Sequence, residues 1–129
     1  MSVRVAGDAG VAGDARGNVR MFHNPRCGTS RRVLELLRER GIEPELVEYL
    51  RSPPDRAGMR ALLDAMGLRP GGLVRWREPL AAEMGLEQAT DEAVLDALLQ
   101  HPVLMERPVV CTGRGTAVCR PAEKVLDLL

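Results

Sequence analysis

From Ser30 onward apolar side chains return every third or fourth position, with Val33, Leu34, Leu36 and Leu37 on one face and Glu35 and Arg38 to Arg40 on the other. This spacing predicts a helix opening near Ser30, and Gly41 stands where a helix C-terminus favours glycine. Ahead of it "NVRMF", residues 18–22, is a short apolar run bounded by Gly17 and Asn24-Pro25, which suits a first strand. Behind it "ELVEYL", residues 45–50, alternates as a second strand, and "RSPPD" breaks the chain with Asp55 placed to cap the next helix. Met59, Leu62, Leu63 and Met66 form the buried stripe of that helix. After Gly71-Gly72, "LVRWREPLAAEMGL" resumes helical spacing, and Thr90 can cap "DEAVLDALLQHP" before Pro102 stops it. Arg107-Pro108 leads into the strand "VVCT", a tight turn at "GRG" and a return strand "TAVCR". Pro121 then opens a last helix carrying Val125, Leu126 and Leu129.

The predicted order is β-α-β, helices, β-hairpin, helix. Strands at both ends with one crossover helix imply a mixed sheet of about four strands flanked by helices. That is an α/β, thioredoxin-like arrangement with a helical insertion. The length of 129 residues fits one domain. Residues 3–16 are small and contain "VAGDA" twice, too little bulk to offset ordering entropy, so residues 1–17 read as a flexible tail. Residues 18–129 are then a single thioredoxin-like domain with a helical subdomain at about 55–104.

Composition changes this picture little. With few aromatic residues, Leu, Val, Ala and Met must build the core. Eighteen basic residues balance eighteen acidic ones, so the chain lacks the basic excess that nucleic acid or an anionic membrane would favour. Lys124 is the single lysine, so an arginine taken alone is a weak signal and its position must carry any argument. The absence of an 18-residue apolar run and of a signal-peptide core points to a cytoplasmic protein whose thiols stay reduced. Cys27, Cys111 and Cys119 include no C-x-x-C and have no histidine at ligand spacing, which argues against a disulfide scaffold or a metal site.

Candidate chemistry concentrates in "FHNPRCGTSRR", residues 22–32. Cys27 there could be a reactive thiolate, a metal ligand, half of a redox pair or a small hydrophobe in a loop. Its place just before a helix decides for the first: unpaired N–H groups of the first turn, from Pro25 through Gly28, Thr29 and Ser30, make an anion cradle and favour thiolate over thiol. Ser30 occupies the place where a dithiol oxidoreductase holds its second cysteine, so the site is monothiol. His23 and Asn24 are close enough in sequence to orient the loop or the thiolate, and a plain hydrogen-bonded loop histidine is the competing role for His23.

"HNPRCGTSR" resembles the active-site loop of the glutaredoxin-linked arsenate reductases. The likeness continues through "LRERGIEPELVEYLRSPP", "LVRWRE", "LLQHPVLMERPVV" and "VCRPAEKVLDLL", covering nearly all of residues 18–129. The resemblance implies a cysteine that attacks arsenate, with glutathione as co-substrate, glutaredoxin completing the reduction, and no bound cofactor. It matches Cys27 to the family's nucleophile, His23 to the histidine of its loop, and Arg75, Arg107 and Arg120 to the three arginines that hold the oxyanion. Asn24, Gly28, Thr29 and Ser30 complete the expected substrate cradle. A monomer, bound to neither nucleic acid nor membrane, is expected. Cys111 and Cys119 fall in the predicted hairpin strands as small apolar residues, which argues for an external resolving thiol. Two other readings share the loop: a Spx-like thiol-sensing transcription regulator, disfavoured by the missing C-x-x-C, and a related monothiol reductase acting on another substrate.

Overall fold

A computed structural model describes residues 18–129; the expected tail at 1–17 lies outside the described residues. The described chain divides into two compact units, one of residues 18–52 with Arg107–Leu129 and one of Pro53–Glu106.

The first unit holds the sheet. Its strands are β1 (Arg20–Phe22), β2 (Glu45–Val47), β3 (Val109–Thr112) and β4 (Gly115–Val118), in the order β2-β1-β3-β4. β1 and β2 are parallel, with Met21 opposite Leu46, while β1 and β3 and then β3 and β4 are antiparallel, with Met21 opposite Val110 and Val110 opposite Ala117. This is the mixed sheet that one crossover helix and one hairpin require. The crossover is α1 (Gly28–Glu39), whose Val33, Leu36 and Leu37 pack with Val19, Met21, Val110, Cys119 and Val125 in one buried cluster. The end of α1 is set by Gly41 at φ 75: its N–H donates to Arg38 O, and Ile42 N–H to Leu37 O, the paired closure that a left-handed residue allows. Ile42 also packs on that cluster, so the same turn that ends the helix adds apolar burial.

The second unit is helical. α2 (Arg56–Met66) is capped by the Asp55 carboxylate, which accepts from Gly58 N–H, and buries Met59, Leu62 and Leu63. α4 (Asp91–Gln100) is capped by Thr90 Oγ1, which accepts from Ala93 N–H.

β1 starts at Arg20 rather than Asn18, α1 at Gly28 rather than Ser30 and β4 at Gly115 within the expected turn, and four larger differences from the sequence reading follow. "LVRWREPLAAEMGL" is not one helix: a 3₁₀ turn at Pro70–Leu73 gives way to extended chain at Val74, and only α3 (Pro79–Glu83) is α-helical, because Pro79 can open a helix but not continue one. Val74 instead forms an antiparallel bridge with Met105. β2 stops at Val47, and a turn from Tyr49 follows with Arg51 and Ser52 N–H both donating to Glu48 O. The last helix is a 3₁₀ helix, Ala122–Leu128, with Val125 buried beneath it. Cys119 lies one residue past β4 rather than within it, its N–H donating to Pro108 O.

Candidate functional site

The loop from His23 to Cys27 is held almost entirely by its own backbone and short polar side chains. His23 N–H donates to Val47 O at 2.8 Å, extending the β1–β2 ladder by one residue. Asn24 then folds the chain back: its carbonyl accepts from Cys27 N–H at 2.9 Å and its Oδ1 from Arg26 N–H at 3.0 Å. Asparagine suits this position because its side chain can mimic a backbone turn. Cys27 is the N-cap of α1, its carbonyl accepting from Arg31 N–H at 3.0 Å. Gly28 and Thr29 open the helix, with Gly28 exposed and Thr29 half-buried.

Ser30 is fully buried, and its hydroxyl faces the loop rather than an incoming anion. Its Oγ accepts from Asn24 N–H at 3.1 Å and lies 2.8 Å from His23 Nδ1. Burial pulls the His23 pKa below its ordinary value and Glu48 opposes that shift, while the positive charges of Arg38 and Arg31 act with burial. A neutral imidazole at Nδ1 can accept the Ser30 hydroxyl proton, and the serine lone pairs then take Asn24 N–H. His23 thus ties the loop to the first turn of α1.

Cys27 is 9% exposed. Burial pushes its thiol pKa up, yet the Ser30 N–H, hydrogen bonds from Arg107 and Arg120 and the Arg107 charge together lower it to about 7. Arg120 Nη1 lies 3.6 Å from Cys27 Sγ and also donates to Arg107 O at 3.2 Å. Arg107 Nε is buried with no hydrogen-bond partner among the described residues. A buried donor left open beside a thiolate is costly unless something fills it, and a small oxyanion has the right charge and acceptors.

The other thiols differ. Burial pushes Cys119 up to about 12, partly offset by Lys124, and Cys111 is fully buried in β3. The Cys119 thiol is thus held protonated, the opposite of Cys27. Among the described residues no cluster of three histidine, cysteine or acidic side chains could hold a metal ion. Among them, too, no helix is long and apolar enough to cross a membrane.

Of the residues singled out from sequence, the structure assembles His23, Asn24, Cys27, Gly28, Thr29, Ser30, Arg107 and Arg120 within one unit. Arg75 belongs to the helical unit, where its Nη1 lies 3.4 Å from Glu106 Oε1. Glu106 was not legible as a partner of Arg75, since 31 residues separate them. The only hint is its place directly before Arg107.

The family model described as "ArsC family" matches residues 22–128. The chain is 48% identical over 113 residues to an arsenate reductase of Rhizobium meliloti (strain 1021), covering 86% of this chain and 81% of that protein. It is 45% identical over 114 residues to an arsenate reductase of Escherichia coli, covering 87% and 81%. The solved structure of an arsenate reductase from Vibrio cholerae superposes with a TM-score of 0.82 at 37% identity, covering 88% of this chain and 98% of that one. With the family's pattern running from β1 to the last 3₁₀ helix, this chain belongs to the ArsC family.

Proposed function

We propose that the protein is an arsenate reductase in which the Cys27 thiolate attacks arsenic. The observation that carries this reading is Cys27 Sγ lying 3.6 Å from Arg120 Nη1, beside an Arg107 whose buried Nε has no partner among the described residues, a setting that lowers the thiol to about 7. Arsenate is largely divalent near neutral pH, and guanidinium forks match its oxygens two at a time. Arg107, Arg120 and the N–H groups of the first turn of α1 offset its charge, so a thiolate can approach an anion that would otherwise repel it. Arg75 is assigned to the same oxyanion by the resemblance of "LVRW".

Attack forms a sulfur–arsenic bond, and an arsenate oxygen leaves as water after protonation. Reduction of arsenic(V) to arsenic(III) takes two electrons, which two glutathione thiols supply as they become one disulfide. Overall, arsenic acid and two glutathione give arsenous acid, glutathione disulfide and water. Cys27 is regenerated, so no second protein cysteine is consumed, which agrees with the raised thiol of Cys119 and the full burial of Cys111. Glutaredoxin completes the thiol exchange.

The test is NADPH consumption in a coupled assay with arsenate, glutathione, glutaredoxin and glutathione reductase. Arsenate-dependent turnover that vanishes in Cys27→Ser is expected. Turnover with no arsenate dependence would sink the assignment.

A further inference from the structure

Arg75 and Glu106 face each other across a short backbone join. Arg75 N–H donates to Leu104 O at 2.7 Å, Glu106 N–H donates to Leu73 O at 2.8 Å, and Val74 pairs antiparallel with Met105 between them. Val74 and Met105 are both buried, so the join is fixed on its apolar side. On the polar side the two side chains meet through one contact, Arg75 Nη1 to Glu106 Oε1 at 3.4 Å. Arg75 is 19% exposed and Glu106 25%.

That contact differs from the other arginine–carboxylate forks of the described chain. Arg38 grips Glu43 through Nε and Nη2 at 2.9 and 3.0 Å, and Arg69 grips Asp91 through the same two atoms at 3.1 and 2.9 Å. The Nε–Nη2 edge presents parallel N–H groups that match two oxygens of a carboxylate or a tetrahedral anion. Glu106 takes Nη1, on the other side of the guanidinium, and so leaves that edge of Arg75 uncommitted.

We propose that Glu106 is a positioning residue, which holds Arg75 by Nη1 so that its Nε–Nη2 edge is presented to the oxyanion. This rests on the assignment of Arg75 to arsenate made above. An arginine side chain is rich in rotamers, and ordering it before the anion arrives removes part of the cost of binding. Glu106 also carries a charge of the same sign as the anion, but its pairing with the Arg75 guanidinium offsets that charge, so the ordering effect prevails.

The test measures the arsenate concentration that halves the rate of Cys27 alkylation, with glutathione left out so that no turnover is needed. Glu106→Ala is expected to raise this concentration about 3- to 10-fold, and Glu106→Gln, which keeps an acceptor oxygen but not its charge, about 2- to 4-fold. In an Arg75→Ala background neither change should raise this concentration further, because the residue they position is gone, and loss of the unscreened Glu106 charge should lower it. The Cys27 alkylation rate without anion should stay at the parent value in both. Thermal melts establish that each variant is folded, and the near-isosteric Gln variant carries the test if Ala is not. An unchanged or lower half-protecting concentration in the folded Glu106 variants, or an equal increase with and without Arg75, would overturn the proposal. If Arg75→Ala alone leaves protection unchanged, the assignment of Arg75 to the oxyanion fails instead.

Discussion

One nitrogen of Arg120 serves two neighbours: Nη1 lies 3.6 Å from Cys27 Sγ and donates to the Arg107 carbonyl at 3.2 Å. Arg107 therefore acts on the thiolate in two ways, by its own guanidinium and by a backbone oxygen that fixes Arg120. These two arginines stand at the outer ends of the β3–β4 hairpin, each directly before a proline, and the pairing of Val109 with Val118 brings those ends together. Hairpin register thus sets the electrostatics of a cysteine some eighty residues away in sequence.

The rate of Cys27 alkylation should follow a titration with a midpoint near 7, since the Ser30 N–H, Arg107 and Arg120 outweigh the burial that raises the thiol. The same shift is a stability term. The folded pKa lies below the unfolded value of about 8.5, so between the two the unfolded chain binds more protons and stability rises with pH. The contribution is on the order of 2 kcal/mol, present above the unfolded pKa and lost as pH falls through 7. Melts of the parent and Cys27→Ser across pH 7 to 9, above the range where His23 titrates in the unfolded chain, check this in reducing buffer, and the serine variant should lose the slope.

Replacing Arg107 or Arg120 by Ala should each lower arsenate turnover roughly 10- to 150-fold, the range expected for losing charge-assisted hydrogen bonds. Arg107→Ala leaves the carbonyl that holds Arg120, so its Cys27 midpoint should rise but stay below that of a variant lacking both guanidinium groups. Arg107→Lys keeps charge without the fork and should fall between parent and Ala. Arg40, exposed at the C-cap of α1, serves as a control whose loss changes turnover little. Equal activity in site and control variants would show that these arginines do not bind the anion.

The fold was readable because its signals are local. The heptad-like face of α1, the Asp55 and Thr90 caps and the Gly41 terminus each depend on a few neighbouring residues, and all appear where the pattern puts them. The stretch around Arg75 has helical spacing in sequence yet is extended, because apolar spacing alone cannot tell a helix from a chain pinned by a distant partner, here residues 104–106. The site divides in the same way. A cysteine before a helix is a local signal, but the direction of the Ser30 hydroxyl, toward Asn24 and His23, depends on the loop's fold.

Cys111 and Cys119 should be dispensable for turnover. Their double replacement by Ala truncates two buried side chains, so melting temperature should fall, while arsenate turnover below the melt stays within about threefold of the parent. Mass spectrometry after incubation with arsenate and no glutathione should find no disulfide joining Cys27 to either. Loss of activity in a folded double variant would reveal an internal resolving thiol.

Ser30→Ala separates holding the loop from holding the anion. Ser30 is fully buried, and its Oγ is the acceptor for Asn24 N–H and the neighbour of His23 Nδ1, so Ala leaves buried polar groups unsatisfied. Stability should drop by about 1 to 3 kcal/mol. The backbone N–H that lowers Cys27 remains, but the loop carrying Cys27 loses its tie to α1, so the alkylation midpoint should rise toward 8.5 and spread as the loop samples more than one position. Arsenate affinity, read as protection of Cys27, should fall less than in Arg107→Ala, because the guanidinium groups are intact. His23→Ala removes the other partner of the same hydrogen bond, and its effect with Ser30→Ala should be well short of additive. Full additivity in a thermodynamic cycle on melting free energies would mean that His23 and Ser30 act separately, and the tie between loop and helix would have to be sought in Asn24 instead.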